Sequence, residues 1–198
     1  MQDRSSGPIG PPISHDEDCH LPGVQAVTTP ADPTLRPEAP DDAEAIEAVT
    51  VAAFGEAPHT SHTEQHIVRA LRAAGALSVS LVAECDGELV GHVAASPVTL
   101  LDGTPGWFGL GPVSVLPAWQ GRGIGSALVR ACLGRLRERG ARGCVLVGEP
   151  GYYQRFGFRS LPGLILPGVP PEYFMALCWT NERPRARVAF HPAFEATV

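Results

Sequence analysis

The stretch "VLPAWQGRGIGSALVRACLGRL", residues 115–136, joins a β-branched run to an amphipathic helix through three closely spaced glycines. Gly121, Gly123 and Gly125 leave backbone N–H groups unobstructed at the helix start, where the helix dipole adds partial positive charge. Arg122 adds a guanidinium, which can bind phosphate oxygens in a bidentate geometry. The stretch therefore predicts an anion-binding helix N-terminus, although the glycines alone are equally compatible with a tight turn that binds nothing.

The spacing of these glycines disfavours two well-known phosphate motifs. A dinucleotide fingerprint needs Gly-x-Gly-x-x-Gly or Ala and an acidic residue at the end of the following strand. Here Gly121 and Gly123 are followed by Ser126, and the next apolar run, "CVLVG" at 144–148, comes more than twenty residues later. The chain contains no lysine, which excludes a P-loop, since that loop needs a lysine on the phosphates.

Composition narrows the class of protein. A chain of 198 residues, 44% of them hydrophobic, predicts a single domain with one core. No segment approaches the ~18 consecutive apolar residues of a membrane span, and "MQDRSSGPIGPPIS" lacks the apolar stretch of a signal peptide, so we expect a cytoplasmic protein without membrane contact. The net charge of −6 argues against nucleic acid as a partner. Five scattered cysteines suggest neither a disulfide framework nor a zinc site.

The chain divides into an extension and a domain. Residues 1–33 are rich in proline, glycine and serine and show no helical or strand periodicity, which predicts a disordered extension. Residues 34–198 carry the periodic segments of a folded domain.

The periodic segments predict an α/β fold. A short strand at Leu35 and Arg36 precedes two helices, which we expect to begin with capping boxes at Asp41–Glu44 and Ser61–Glu64. Three strand-like runs follow, and Asp86-Gly87 between the first two predicts an antiparallel hairpin. The glycine-rich helix and "CVLVG" then complete a βαβ unit, and a short helix at "YYQRFGF" and a late strand at "YFMALCW" follow. The result is one mixed sheet between helices.

Two motifs together resemble the GNAT superfamily of N-acetyltransferases. Gln120 to Gly125, "QGRGIG", is similar to the Gln/Arg-x-x-Gly-x-Gly/Ala motif of that family, and "GEPGYYQRFGF" resembles its tyrosine-x-x-x-Gly-Phe segment. The resemblance covers about residues 34 to 180, and the tail "RVAFHPAF" is similar to a bacterial branch whose acceptors are mostly unassigned. It implies the GNAT fold, a mixed, mostly antiparallel sheet flanked by helices, in which the fourth and fifth strands splay apart.

The resemblance also implies acetyl-coenzyme A as the acetyl donor and no metal. The pyrophosphate would lie on backbone N–H groups at the helix start, and the pantetheine arm would pair with the main chain of the splayed strand. The Val113 N–H would polarise the thioester carbonyl, as an oxyanion-hole donor does. The cofactor-binding residues implied are Val113, Val115, Gln120, Gly121, Arg122, Gly123, Ile124, Gly125 and Ser126. Independently of the resemblance, Gly111 and Pro112 predict a bulge in this strand.

Tyr153, four residues before Gly157, is the general acid that the resemblance implies, because a phenol stays protonated at neutral pH and can donate to the departing thiolate. Packing beside Phe156 and Phe158 is the alternative role for this tyrosine. No general base is assigned from the sequence. The candidates considered are Glu84, His92, Ser114, Glu149 and a relayed water.

The acceptor side is less defined. His59, His62 and His66 flank the junction of the first two helices, but their spacing is weak evidence for a metal, and Glu56 could attract a cation. The acceptor implied is a primary amine of a small molecule or a protein. A non-catalytic acyl-coenzyme A sensor with the same fold is the rival reading, and whether the chain forms a homodimer stays open.

Overall fold

A computed structural model describes residues 32–55 and 63–197 of the chain. Its helices are α1 (Ala43–Phe54), α2 (Glu64–Ala73), α3 (Ile124–Glu138) and α4 (Pro150–Tyr153). Its strands are β1 (Thr34–Pro37), β2 (Val79–Cys85), β3 (Glu88–Pro97), β4 (Thr99–Leu100), β5 (Trp107–Val115), β6 (Gly143–Val147), β7 (Leu164–Ile165), β8 (Phe174–Cys178) and β9 (Ala186–Ala189). The predicted extension, residues 1–33, falls almost wholly outside these ranges.

The main sheet has the strand order β1-β2-β3-β5-β6-β8, and a smaller sheet has the order β4-β9-β7. All neighbours in the main sheet are antiparallel except β5 and β6, which run parallel and are connected by α3. The predicted hairpin at Asp86-Gly87 is present, with both residues at positive φ. The mixed, mostly antiparallel architecture predicted from the sequence is confirmed.

Helices cover both faces of the main sheet because its strands alternate apolar side chains on the two sides. Leu81 and Ala83 belong to the cluster that packs against α3, whereas Val82 between them packs with Ile46 of α1 and Val68 of α2. On α3 the buried stripe is the one that its helical periodicity predicts, namely Ile124, Leu128, Cys132 and Leu136.

Strands β5 and β6 pair only at their beginnings. Trp107–Gly109 pairs with Gly143–Val145, after which β5 stays with β3 while β6 stays with β8. The register between β3 and β5 shifts opposite Gly111 and Pro112, where the sequence predicts a bulge. The two strands therefore separate, and the gap between them opens toward the N-terminus of α3.

The capping signal at the start of α1 was misread. Helix α1 has no side-chain cap at Asp42, and no bond joins Asp41 to Glu44; instead the Asp42 carboxylate accepts from the Ala39 N–H and binds Arg36 at 2.6 Å. Because the Asp42 carboxylate is bound to Arg36, it does not accept a hydrogen bond from the first turn of the helix. Helix α2 begins at Glu64 without a side-chain cap at Thr63, and Ser61 lies outside the described residues.

Two further observations concern the chain as a whole. The four cysteines in the described ranges are free thiols, three of them buried and Cys178 half-buried. No helix in those ranges is both long and apolar enough to cross a bilayer.

Candidate functional site

A groove of about 460 Å³ runs from the gap between β5 and β6 to the start of α3. It contains eight of the nine predicted cofactor-binding residues, Arg122 being the exception. The lining consists of Ala53, Phe54, Val113, Val115, Trp119, Gln120, Gly121, Gly123, Ile124, Gly125, Ser126, Tyr152, Tyr153 and Arg155.

The N-terminus of α3 forms one end of this groove. Gly123 precedes the helix at φ +86°, a left-handed conformation that glycine adopts without steric cost. The N–H groups of Ile124, Gly125 and Ser126 lie in the first turn, where no preceding carbonyl is available to accept them. A Cβ on Gly121 or Gly123 would meet nothing within 4 Å, so this turn is open to a ligand. The arrangement suits an anion.

The main chain of β5 forms the other side of the groove. The Leu116 N–H donates to the Val90 carbonyl, and because pairing alternates along antiparallel strands, Ser114 exchanges main-chain bonds with His92. Val113 and Val115, which lie between these bonded positions, therefore direct their N–H and C=O groups away from β3 into the gap. The side chain of Gln120 reaches back and donates from Nε2 to the Val115 carbonyl at 3.0 Å.

The arginine that lines the groove is not the one predicted from the glycine motif. Arg122 lies with its guanidinium 4.9 Å from the Trp119 ring centroid and outside the groove lining. Arg155 lines the groove and stacks 4.7 Å from the Tyr152 ring centroid. Sequence reasoning missed Arg155 although it lies inside the second motif, "YYQRFGF", because only the fold brings that motif to the helix start.

A larger cavity of about 1090 Å³ adjoins the groove. Its wall is mostly apolar, and the side chains come from both halves of the chain. The lining consists of Phe54, Glu64, Ile67, Leu110, Gly111, Pro112, Val113, Val147, Gly148, Glu149, Tyr153, Leu166, Gly168, Val169, Pro170, Tyr173, Phe190 and Phe194. Phe54, Val113 and Tyr153 line both the groove and the cavity, so they mark the place where the two spaces meet.

Tyr153 is held tightly at this junction. Its ring lies on the backbone of Gly148, where an added Cβ would come within 2.4 Å of it. The ring also makes edge contacts with Tyr152 and Phe158 at centroid distances of 4.9 and 6.2 Å. Burial, with a smaller contribution from neighbouring Tyr152, raises the pKa of Tyr153 to about 12, so its hydroxyl remains protonated. The packing role and an acid role are compatible in this geometry.

Of the four side chains considered as bases, Glu149 alone lines the cavity. Glu84 accepts from Arg36 Nε at 2.8 Å near the β1 edge of the sheet. Ser114 is buried, and its hydroxyl donates to Thr50 at 3.3 Å. His92 is fully buried below α1, away from the lining of either space.

His92 belongs to a largely buried polar network, so it has the hydrogen-bonded structural role that the sequence favours for it over a role as base. Its Nε2 lies 2.8 Å from the Ser80 hydroxyl, which donates to Glu38, and Glu38 accepts from Arg72 Nε at 2.5 Å. Burial lowers the pKa of His92 to about 4, and Glu38 opposes that shift only in part. The network joins β2, β3 and α2, so its role is to hold those elements together.

The predicted histidine cluster is only partly described. His59, His62 and Glu56 fall outside the described residues, and His66 lies 3.1 Å from both Gln65 Nε2 and Arg69 Nη2. Within the described ranges, no group of three histidine, cysteine or acidic side chains could hold a metal ion.

Comparison with known proteins gives concordant matches. Residues 43–158 match the acetyltransferase (GNAT) family. The chain is 37% identical to the uncharacterized N-acetyltransferase YhbS of Escherichia coli (strain K12) over 125 residues, 63% of this chain and 72% of that protein.

Two solved structures resemble the whole domain. One is a GNAT family acetyltransferase from Brucella melitensis in complex with acetyl-CoA, at 49% identity and a TM-score of 0.73, covering 82% of this chain and 97% of that one. The other is YhbS from Escherichia coli in complex with CoA, at 31% identity and a TM-score of 0.74, covering 86% of this chain and 97% of that one.

Proposed function

Because the chain belongs to the acetyltransferase (GNAT) family, we propose that it transfers the acetyl group of acetyl-CoA by direct attack of a primary amine held in the cavity. The chain is an N-acetyltransferase with acetyl-CoA as its donor, as its family and its coenzyme-bound relatives indicate. The observation that carries the proposal is the junction at Val113 and Tyr153, where an anion-binding groove meets an apolar cavity.

The groove fits the donor in charge and in main-chain geometry. The open N–H groups of Ile124, Gly125 and Ser126 would bind the pyrophosphate, with the positive end of α3 behind them. The main-chain groups of Val113 and the Val115 N–H, which point into the gap, would pair with the pantetheine amides, as an added strand does at a sheet edge. Arg155 would supply a guanidinium to the phosphates, whereas Arg122, stacked on Trp119, would support the turn.

Acetyl-CoA supplies a thioester whose carbonyl carbon an amine can attack. The Val113 N–H would donate to the carbonyl oxygen as negative charge develops there. Tyr153 would donate its hydroxyl proton to the sulfur as the C–S bond breaks. With a pKa of about 12 the hydroxyl is protonated across the physiological range, as a general acid requires, while burial makes it a weaker proton donor than a free phenol. Glu149, as the candidate base that lines the cavity, is positioned to receive the proton that the amine loses.

Removing the Tyr153 hydroxyl tests the acid. Tyr153→Phe keeps the ring that packs on Gly148, so we expect coenzyme A affinity to change less than twofold. We expect kcat to fall on the order of 100-fold, the range for loss of a general acid. Free thiol release measured over panels of aminoglycosides, polyamines, amino acids and peptides provides the readout, and Tyr152→Phe is the matched control.

An unchanged kcat in Tyr153→Phe would assign this tyrosine to packing alone. The sensor reading makes a different prediction, namely tight binding of acetyl-CoA with no thiol release above background for any amine in the panel. A cytoplasmic location and a homodimer remain predictions.

A further inference from the structure

The charge and polarity of the cavity wall indicate which kind of acceptor it can bind. The wall is mostly apolar, and its charged side chains are all negative. Among the described residues that line it, the charged side chains are two carboxylates, Glu64 and Glu149, and no arginine or histidine is present. A wall of this kind favours a cation and disfavours a carboxylate or a phosphate. The acceptor nitrogen is therefore expected to arrive as an ammonium group.

The rest of the wall offers hydroxyl groups few side-chain partners. Apart from the two carboxylates and the Tyr153 and Tyr173 hydroxyls, its side chains carry no hydrogen-bonding group. A polyol or an aminoglycoside carries more hydroxyls than these side chains can bind, and each hydroxyl left without a partner there costs free energy. An aliphatic or aromatic body would instead gain from burial.

Two large side chains of the cavity wall, Val147 and Tyr173, are substantially exposed to solvent. Val147 is 47% exposed and Tyr173 is 40% exposed, and both belong to the cavity wall. Burying apolar surface of this kind contributes roughly 25 cal/mol per Å². A bound apolar body that contacts both side chains would therefore gain free energy from their burial.

The size of the space agrees with a small molecule. Pockets for drug-sized ligands span roughly 300–1,000 Å³, and this cavity measures about 1090 Å³. Phe190 and Phe194 close it from the C-terminal segment, while Phe54 and Ile67 close it from α1 and α2.

We propose that the acceptor is a small primary amine on an apolar, preferably aromatic, body. Its ammonium group would lie toward Glu149, and its body would contact Val147, Tyr173 and the phenylalanines. This inference rests on the proposed function, because it names the substrate class of that site.

Binding measured without turnover tests the inference. Calorimetry on the full chain saturated with coenzyme A, which cannot donate an acetyl group, compares 2-phenylethylamine with ethanolamine and 2-phenylethanol. We expect 2-phenylethylamine to bind on the order of 100-fold more tightly than ethanolamine, since the phenyl ring is buried. We expect 2-phenylethanol to bind at least about tenfold more weakly than the amine, because it lacks the charge.

Matched variants locate the binding. Val147→Thr keeps the shape of the side chain but places a hydroxyl in the wall, so 2-phenylethylamine should bind about 3- to 10-fold more weakly. Val51→Thr is the control, because Val51 is 50% exposed on α1 and lies outside the cavity lining. Glu149→Gln should weaken the binding of 2-phenylethylamine and leave the affinity for 2-phenylethanol unchanged.

Equal or tighter binding of ethanolamine, spermidine or kanamycin would overturn the inference while leaving acetyl transfer intact. Binding of a peptide with an apolar first residue, without binding of 2-phenylethylamine, would also overturn it and indicate a protein acceptor. Failure of the chain to bind coenzyme A would contradict the proposed function instead. The amine titration would then be repeated on the free protein, and its ranking would still decide the inference.

Discussion

At the scale of single residues, the two arginines near the groove have different surroundings and should differ in function. Arg155 lines the groove beside the start of α3, whereas Arg122 lies on the Trp119 ring and does not line it. The glycine motif predicted that Arg122 binds the phosphates, because Arg122 lies next to the glycines in the chain. The fold instead brings in Arg155 from a motif about thirty residues further along.

Replacing each arginine by alanine separates the two roles. Arg155→Ala should weaken acetyl-CoA binding by roughly 1.5–3 kcal/mol, the range for a hydrogen bond to a charged group. Arg122→Ala should weaken it by less than about 1 kcal/mol, because its guanidinium lies outside the groove lining. Calorimetry with acetyl-CoA measures both. The reverse order would return the phosphate contact to Arg122.

His92 makes a prediction on the pH dependence of stability. Its pKa is lowered from 6.5 to about 4 in the folded protein, mainly by burial, so the unfolded chain binds the proton more tightly. Stability therefore rises with pH and falls as the pH decreases from about 6.5 toward 4. Between pH 7 and pH 5 this one residue should account for a loss of about 2 kcal/mol in unfolding free energy.

Denaturant unfolding at several pH values checks this loss. His92→Gln, whose side chain does not titrate, should show a shallower decline over pH 7 to 5, whatever its stability at pH 7. A decline as steep as that of the original chain would show that other groups cause it.

At the scale of elements, the turn at the start of α3 should affect both the unfolding free energy and the binding of acetyl-CoA. Gly123 has φ +86°, which costs a residue with a Cβ about 1–2 kcal/mol. Gly123→Ala should lower the unfolding free energy by that amount, and it should weaken acetyl-CoA binding because the turn presenting the N–H groups is distorted. Thermal unfolding and calorimetry measure the two effects.

A second glycine on the same helix is the matched control. Gly134 lies exposed inside α3, and a Cβ there would meet nothing within 4 Å. Gly134→Ala should raise the unfolding free energy by roughly 0.5–1 kcal/mol and leave acetyl-CoA binding unchanged. A loss of binding in this variant would show that binding follows helix stability rather than the turn itself.

At the scale of the whole molecule, the larger cavity forms because segments far apart in the chain line it together. Phe190 follows β9, contacts Phe194 at a centroid distance of 4.8 Å and packs against the backbone of Gly109 in β5. A Cβ on Gly109 would come within 2.5 Å of the Phe190 ring, so glycine at that position makes the close contact feasible. The C-terminal segment thereby becomes a wall of the site.

Removing this ring should affect acceptor binding and stability together. Phe190→Ala should lower the unfolding free energy by about 2–3 kcal/mol, less than for a fully buried phenylalanine. It should raise KM for the acceptor while leaving the Kd of acetyl-CoA unchanged, because Phe190 lines the cavity and not the groove. Leu101→Ala, at a side chain that is 64% exposed outside the cavity, is the control. A raised Kd for acetyl-CoA would contradict this division.

Much of the architecture could be predicted from the sequence, because its causes are local. Alternation identified β2 and β3, the Asp86-Gly87 turn identified their hairpin, and the apolar stripe identified α3. The capping box at Asp41–Glu44 failed because Asp42, at the start of α1, forms an ion pair with Arg36 of β1, a contact between segments. The second strand-like run, "ELVGHVAASPVTL" at 88–100, predicts one strand, but the structure divides it at Val98 into β3 and β4, which belong to different sheets.

By itself, the sequence determined the glycine-rich helix start, since such a start depends on φ preferences and on orphan N–H groups within a few residues. The tertiary structure decided which side chains line the larger cavity. It buried His92, paired Glu84 with Arg36 and left Glu149 in the cavity. It also brought together Phe54 and Phe194, which lie at opposite ends of the domain. Such contacts depend on how the sheet packs, and no local pattern encodes them.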